Sequence, residues 1–213
     1  MTDSGVSIVG EPALFVIDLQ RGGAMGSEIS GIGLMDGYLS VIKHAERLVE
    51  AARRSGVPVI FFQEQHRPSG VDIGRELDGS EGMHCVEGAT GTELWPTLTP
   101  AENEYLIAKR RYSCFFGTEL DILLRGLGTT TILLSGVLTD VCVQYTFADA
   151  HQRDFHVRVA TDAVAGSSHE RHLAALDSMS YLQREALVTS AAIEAAFSAR
   201  GASNAPRLGD RAS

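Results

Sequence analysis

The sequence predicts an α/β fold of three layers, in which a six-stranded parallel, Rossmann-like sheet is covered by helices on both faces. Two observations point there. Short apolar runs alternate with segments of helical period along nearly the whole chain. Those runs are close to continuous, as in strands buried on both faces, rather than alternating polar and apolar. The chain has 213 residues, 44% of them apolar. That is enough for one domain with a full core, taken as about residues 11–200, and no internal repeat is visible.

The elements follow in order. Ala13-Leu14-Phe15-Val16-Ile17 is a first strand and ends at Asp18. Asp36 is placed to cap a helix to about Ser55, with Leu39, Ile42, Ala45, Leu48, Val49 and Ala52 on one face and Gly56 as its stop. Pro58 to Phe62 is a second strand. Residues 64–103 are glycine-rich and weakly periodic, a length of loop that in a compact domain points to function. Tyr105 to Ala108 is a third strand, running into Lys109. A helix from Thr118 to Arg125 leads to a fourth strand, Thr130 to Leu134, and a helix from Val141 to about Arg153 leads to a fifth, His156 to Ala160. A helix from Ser167 to Leu182, a sixth strand from Ala186 to Thr189 and an Ala-rich helix to about Arg200 complete the pattern. The tail, residues 201–213, is small and polar and reads as disordered.

Composition excludes several function classes. Lys+Arg 18 against Asp+Glu 27 gives a net charge of −9, which opposes binding to nucleic acid or to an anionic membrane surface. No apolar stretch approaches the roughly 18 residues of a membrane span, and Met1 to Gly10 lacks a basic-then-apolar leader. The three cysteines, Cys85, Cys114 and Cys142, are too few for a disulfide scaffold. The expectation is a soluble, cytoplasmic protein.

In open α/β sheets, ligands bind beyond the carboxyl ends of the strands. The first strand ends in Asp18 and the third in Lys109, one of only two lysines in the chain; the fourth leads through Ser135-Gly136-Val137-Leu138-Thr139-Asp140-Val141 to Cys142 at a helix start. An acid, a cation and a thiol at three such ends form a plausible nucleophilic site. A thiol at a helix N-terminus, beside an ammonium, is biased toward thiolate. Asp18 is then placed to accept its proton and return it to a leaving amine. Taken singly, each residue has a plainer reading: Cys142 as a small buried hydrophobe, Asp18 as a turn cap, Lys109 as a solvated strand end.

At these residues the sequence resembles the isochorismatase-like cysteine hydrolases, a superfamily that includes nicotinamidases, N-carbamoylsarcosine amidases and biuret or ureidoacrylate hydrolases. The resemblance runs from about Ala13 to Thr189. It rests on Val16-Ile17-Asp18-Leu19-Gln20, Lys109-Arg110-Arg111-Tyr112-Ser113-Cys114-Phe115-Phe116-Gly117-Thr118, Ser135 to Val143, and Asp162-Ala163-Val164-Ala165. It implies a strand order of 3-2-1-4-5-6, with Asp18 as general base and acid, Lys109 as activating cation and Cys142 as nucleophile. It also implies a cis peptide between Val137 and Leu138, and an oxyanion hole from the amides of Leu138 and Cys142. The implied reaction is hydrolysis of the C–N bond of a small amide or ureide through a thioester, with no cofactor, by a homo-oligomer (dimer or tetramer). A vinyl-ether hydrolase, which does not need a cysteine nucleophile, and a non-catalytic binding module are the alternatives.

Nicotinamidases place an Asp-x-His pair and a later His around a metal after the second strand. Here that stretch reads Gln63-Glu64-Gln65-His66-Arg67-Pro68, and His84 with Cys85 is too sparse to rebuild such a site, so no metal is expected. The Glu-x-His-Arg-Pro stretch is similar to the ureide and biuret hydrolase side. His66 and Arg67 are therefore candidate substrate contacts, with an exposed loop as the plainer reading; Gln20 is a further candidate, and Gln183, which on the family's layout ends a helix near the pocket edge, is either a substrate contact or a plain helix cap. Many relatives carry an Asn-Asp-Phe-like stretch where this chain has Arg21-Gly22-Gly23, so the pocket wall must differ. Gly31-Ile32-Gly33 follows no strand and lacks a third glycine, and no dinucleotide site is expected. His169 and His172 read as a solvated helix face, and Cys114 as a small buried residue.

Overall fold

The computed structural model describes residues 6–204. Six strands, β1 (Glu11–Ile17), β2 (Val59–Glu64), β3 (Tyr105–Lys109), β4 (Thr129–Val137), β5 (His156–Ala165) and β6 (Leu187–Val188), form one sheet in the order β3-β2-β1-β4-β5-β6. Every neighbouring pair is parallel. The helices are α1 (Ser27–Ser30), α2 (Tyr38–Arg54), α3 (Leu120–Leu127), α4 (Gln144–His151), α5 (His169–Leu182) and α6 (Ser190–Asn204).

The apolar run of β1 shows why the sheet is buried on both faces. Ala13, Phe15 and Ile17 pack with Leu120 and Leu124 of α3, Phe147 of α4 and Met179 of α5, whereas Leu14 and Val16 pack with Leu48 of α2 and Ile193 and Phe197 of α6. Each fully buried side chain of this size contributes about 1.5–3 kcal/mol. A strand covered twice has no polar face to present, hence the unbroken run.

The strands extend further toward the site than the apolar runs do. β2 continues to Glu64, β4 to Val137 and β5 to Ala165, because ladder pairing persists through Gln63, Ser135 and Gly136 where hydrophobicity stops, and β5 rejoins β4 at Val164 and Ala165 after a register shift. Asp36 does not cap α2; Gly37, at φ 76°, precedes the first helical residue. Helix α6 continues to Asn204, into the segment read as tail, and the rest of that segment lies outside the described residues.

Two stretches to which the sequence assigns no strand or helix are held in place. Arg21–Ala24 forms a 3-10 turn in which a Cβ on Gly23 would lie 2.5 Å from the Tyr38 ring, so only glycine allows this approach. Residues 64–103 carry short 3-10 turns at Glu76–Asp78 and Thr90–Thr92. They are tied down where the His66 amide donates to the Cys85 carbonyl at 2.7 Å and the Glu87 amide to the His66 carbonyl at 2.8 Å. Ile73 and Leu98 of this segment are buried, so it belongs to the packed body of the fold.

Candidate active site

The carboxyl ends of β1, β2, β3 and β4 bring four residues to one point: Asp18 just past β1, Glu64 and Lys109 at the ends of β2 and β3, and Cys142 in the turn after β4. The β2–β3 register sets Glu64 beside Lys109. From the edge strand, the lysine reaches across β2 until Nζ lies 2.7 Å from Asp18 Oδ2, 2.7 Å from Glu64 Oε2 and 3.4 Å from Cys142 Sγ. Lys109 is wholly buried. Asp18 adopts a positive φ of 52°, and its Oδ1 accepts from the Glu64 amide at 2.9 Å, which aims the other oxygen at the lysine. Glycine at 136 permits β4 to approach β1 here: its φ is 133°, and a Cβ would lie 2.1 Å from the Ile17 carbonyl oxygen.

Beyond β4 the peptide between Val137 and Leu138 is cis. Thr139–Val143 then makes one π-helical turn that runs into α4. Cys142 thus sits in that turn and not in the first turn of an α-helix as the sequence suggests; π turns of this kind recur at functional sites. The turn is anchored from two sides. Asp140 accepts from the Ser167 amide at 2.8 Å, and the Thr139 hydroxyl pairs with His172 Nδ1 at 2.9 Å. His172 therefore supports the turn rather than a solvated helix face.

Burial sets the resting protonation. Desolvation pushes Asp18 up, the Lys109 charge pulls it down and the Glu64 carboxylate pushes it up again, leaving it at about 6. Desolvation also pushes Cys142 well above the ordinary thiol range, against the pull of Lys109. The low-dielectric surroundings therefore oppose the bias toward thiolate that the turn and the ammonium supply. Burial pushes Glu64 up, but Lys109, His66 and His84 together hold it well below the carboxylate range. Lys109 stays charged because its anionic neighbours outweigh desolvation.

Glu64 is the member of this cluster that sequence reasoning missed. Its Oε2 accepts from the Cys142 thiol at 3.6 Å, and the ligating atoms of Asp18, Glu64 and Cys142 all lie within 4.8 Å of one another. The available signal was its place at a strand end, hidden by closing β2 at Phe62. Behind Glu64, His66, Glu76 and His84 are gathered into one buried group. Folding brings together residues that looked too sparse in sequence.

The other candidate contacts separate. Gln20 lines the pocket over Cys142, its amide donating to the carbonyls of Glu64 at 3.0 Å and Thr92 at 2.7 Å. His66 is buried against Glu64 and Glu76 and does not line the pocket, and Arg67 is exposed with its amide bonded to Asp72. Gln183 sits at the opposite end of the sheet, where it accepts from the Val157 amide at 2.8 Å and donates to the Phe155 carbonyl at 3.1 Å; it is a cap, not a substrate contact. The pocket walls come from Ile29, Ile32 and Met35 near the Gly22-Gly23 turn, and from Met83, Cys85, Val86 and Tyr112. Cys114 is a core residue whose amide donates to Thr146.

The parallel sheet thus brings an acid, a lysine and a buried thiol together beneath a pocket at the carboxyl ends of its strands, where open α/β sheets bind ligands. The isochorismatase domain matches residues 12–193, and the chain belongs to that family of hydrolases. It is 33% identical over 190 residues to ureidoacrylate amidohydrolase RutB of Methylobacterium radiotolerans, covering 76% of this chain and 70% of the relative. It is 34% identical over 168 residues to an Arabidopsis thaliana protein named "Probable inactive nicotinamidase", covering 76% and 84%. Among solved structures, N-carbamoylsarcosine amidase of Thermoplasma acidophilum superposes with a TM-score of 0.72 at 30% identity, over 85% of this chain and 97% of that one. Among the described residues, no helix is long and apolar enough to cross a membrane.

Proposed function

We propose that the protein is a cysteine amidohydrolase that cleaves the C–N bond of a small, neutral amide or ureide. The observation that carries this reading is the contact of Lys109 Nζ with Asp18, Glu64 and the Cys142 thiol in one buried cluster at the pocket floor. Of the two carboxylates, Asp18 is the better base. Its affinity for protons is close to neutrality, whereas Glu64 is held far below.

Asp18 takes the thiol proton as the sulfur attacks the carbonyl carbon, and Lys109 balances the charge that develops on the sulfur. The amides of Leu138 and Cys142 receive the oxyanion. When the intermediate collapses, the C–N bond breaks and Asp18 returns the proton to the departing nitrogen, which leaves as ammonia or an amine. Water, deprotonated by Asp18, then attacks the thioester; the acid product departs and the sulfur regains its proton.

The pocket supports a neutral substrate. Its walls are largely apolar, no arginine or lysine lines it among the described residues, and its one imidazole, His84, is taken up by Glu64 and Glu76. The names of the relatives support C–N hydrolysis. The test is ammonia release from a panel of nicotinamide, simple aliphatic amides, biuret, N-carbamoyl amino acids and ureidoacrylate-like compounds, with Cys142→Ala as control. Release from a neutral member that vanishes in Cys142→Ala is expected. Release that persists in the variant removes Cys142 from the mechanism, and a preference for carboxylated members overturns the neutral-substrate reading.

A further inference from the structure

We propose that His172 is a positioning residue of the hydrolysis, acting through Thr139 to hold the turn that offers the Leu138 and Cys142 amides to the reacting oxygen. The inference rests on the hydrolytic reading for the reaction it serves, and on the geometry alone for the contact. Thr139 opens the π turn directly after Leu138 and is wholly buried. Its hydroxyl lies 2.9 Å from Nδ1 of His172, which reaches it from α5. Among the described residues this is the one hydrogen bond that the Thr139 side chain makes.

The backbone of the turn fixes its curl. The Leu138 carbonyl accepts from the Val141 and Val143 amides, each at 3.1 Å. Its tilt against the sheet is set from outside, by the start of α5. Gly166 lets that helix come close: a Cβ there would lie 2.8 Å from Asp140 Oδ1, 2.8 Å from His172 Cβ and 3.0 Å from His172 Cα. His172 sits in the first turn of α5, where its amide donates to the Ser168 carbonyl at 2.9 Å, so the ring starts from a fixed backbone. Of the two contacts between turn and helix, that of Asp140 with Ser167 lies at the surface, whereas that of Thr139 with His172 ends on a buried side chain. Water competes for the first and not for the second.

The position of this bond decides what it controls. A planar peptide joins Thr139 to Leu138, so a rotation that releases the hydroxyl from His172 turns Leu138 with it. A donor stabilises an oxyanion only at about 2.7–3.1 Å, and loss of one such donor costs about 10²–10³ in rate. A displacement of about 1 Å is enough for about 10². The thiol, by contrast, is activated through Lys109 Nζ and Asp18, which stand on β3 and at the end of β1 and do not touch His172. A step that develops charge on oxygen is therefore sensitive to His172, and one that uses only the sulfur is spared. Leucine at 172 occupies the space without the bond. Asparagine sets an amide group near the place of Nδ1 and offers both a donor and an acceptor, so it serves either tautomer of the imidazole it replaces.

The test uses the full chain and two probes that need no hydrolysable substrate. Iodoacetamide alkylates Cys142: the S–C bond forms as C–I breaks, iodide leaves, the thiol proton passes to Asp18, and no oxyanion arises. Acetaldehyde adds to the same sulfur reversibly: the S–C bond forms, the thiol proton passes to Asp18, and the C=O electron pair moves onto the oxygen between the two amides. Its inhibition constant against alkylation, followed by mass spectrometry of the Cys142 peptide, reads the hole. His172→Leu is expected to raise that constant at least about tenfold while alkylation without aldehyde stays within about threefold. Thr139→Val should do the same and serves if His172→Leu does not fold; the double variant should be no worse than either single, as for two ends of one bond. His172→Asn should restore the wild-type constant. Protection of the wild type that His172→Leu loses supports the proposal even where the amide panel is silent. A wild type that acetaldehyde does not protect, an unchanged constant in both His172→Leu and Thr139→Val, equal losses of alkylation and protection, or a His172→Asn variant as impaired as His172→Leu would overturn it.

Discussion

Replacing Lys109 by Met keeps the length and apolar stem of the side chain but removes the one charge that separates Asp18 from Glu64. The two contacts of 2.7 Å to Nζ place the facing carboxylate oxygens no more than about 5.4 Å apart. At an effective dielectric constant of about 20, two unit charges at that distance repel by about 3 kcal/mol. Removal of one member of a buried ion pair costs about 3–5 kcal/mol in all, because the remaining charge is left without compensation. Lys109→Met should therefore lose about 3–5 kcal/mol in urea unfolding, seen as a lower midpoint at unchanged slope. Adding Asp18→Asn removes the repulsion, so the double variant should recover about 2–3 kcal/mol relative to Lys109→Met, a coupling expected of groups in direct contact. A loss below about 1 kcal/mol for Lys109→Met, or a double variant no more stable than the single, would refute the description of this site as a desolvated charge cluster held by the lysine.

Two further outcomes follow from the structure. Gln183→Ala leaves the Val157 amide and the Phe155 carbonyl without their side-chain partner, so it should destabilise by about 1–3 kcal/mol in thermal or urea unfolding. Its kcat/KM per folded molecule should not change, and a raised KM at full stability would return Gln183 to the substrate site. Glu104 accepts from Arg53 Nε at 2.8 Å, Arg53 Nη2 at 2.7 Å and the Ala101 amide at 2.7 Å. Partial burial pushes its carboxyl up, but these bonds outweigh burial and hold it below the ordinary value. The stability it contributes is thus present above the unfolded carboxylate pKa and lost as pH falls through the folded one. Glu104→Gln should cost about 1 kcal/mol at pH 7, allowing for the exposed guanidinium. Unfolding measured from pH 7 to 3 should show the gap to wild type closing in acid; a gap that widens would contradict the assignment.

Much of the fold was legible along the chain because it is written locally. A strand covered on both faces, such as Leu14 to Ile17, must be apolar at every position, and an amphipathic helix such as α2 must repeat its apolar residues every three or four. Where hydrophobicity and hydrogen bonding part company, the apolar run cuts the strand short: it ends at Phe62, although the ladder of β2 continues to Glu64. That cut concealed a charged member of the site.

The sequence by itself determined the alternation of strands and helices, and it marked Asp18, Lys109 and Cys142 as strand-end residues of suitable chemistry. It could not decide which way a buried equilibrium lies. The protonation of Cys142 and Asp18 depends on how far the surrounding side chains exclude water and on which charges stand within a few ångströms. Nor could it join Glu64 and His66 to Glu76 and His84, since that juxtaposition depends on the path of a glycine-rich segment with no period of its own. Gln183 shows the same limit from the other side: its sequence position suits a pocket edge as well as a cap, and only the packing of α5 against the start of β5 sends its amide to the far end of the sheet.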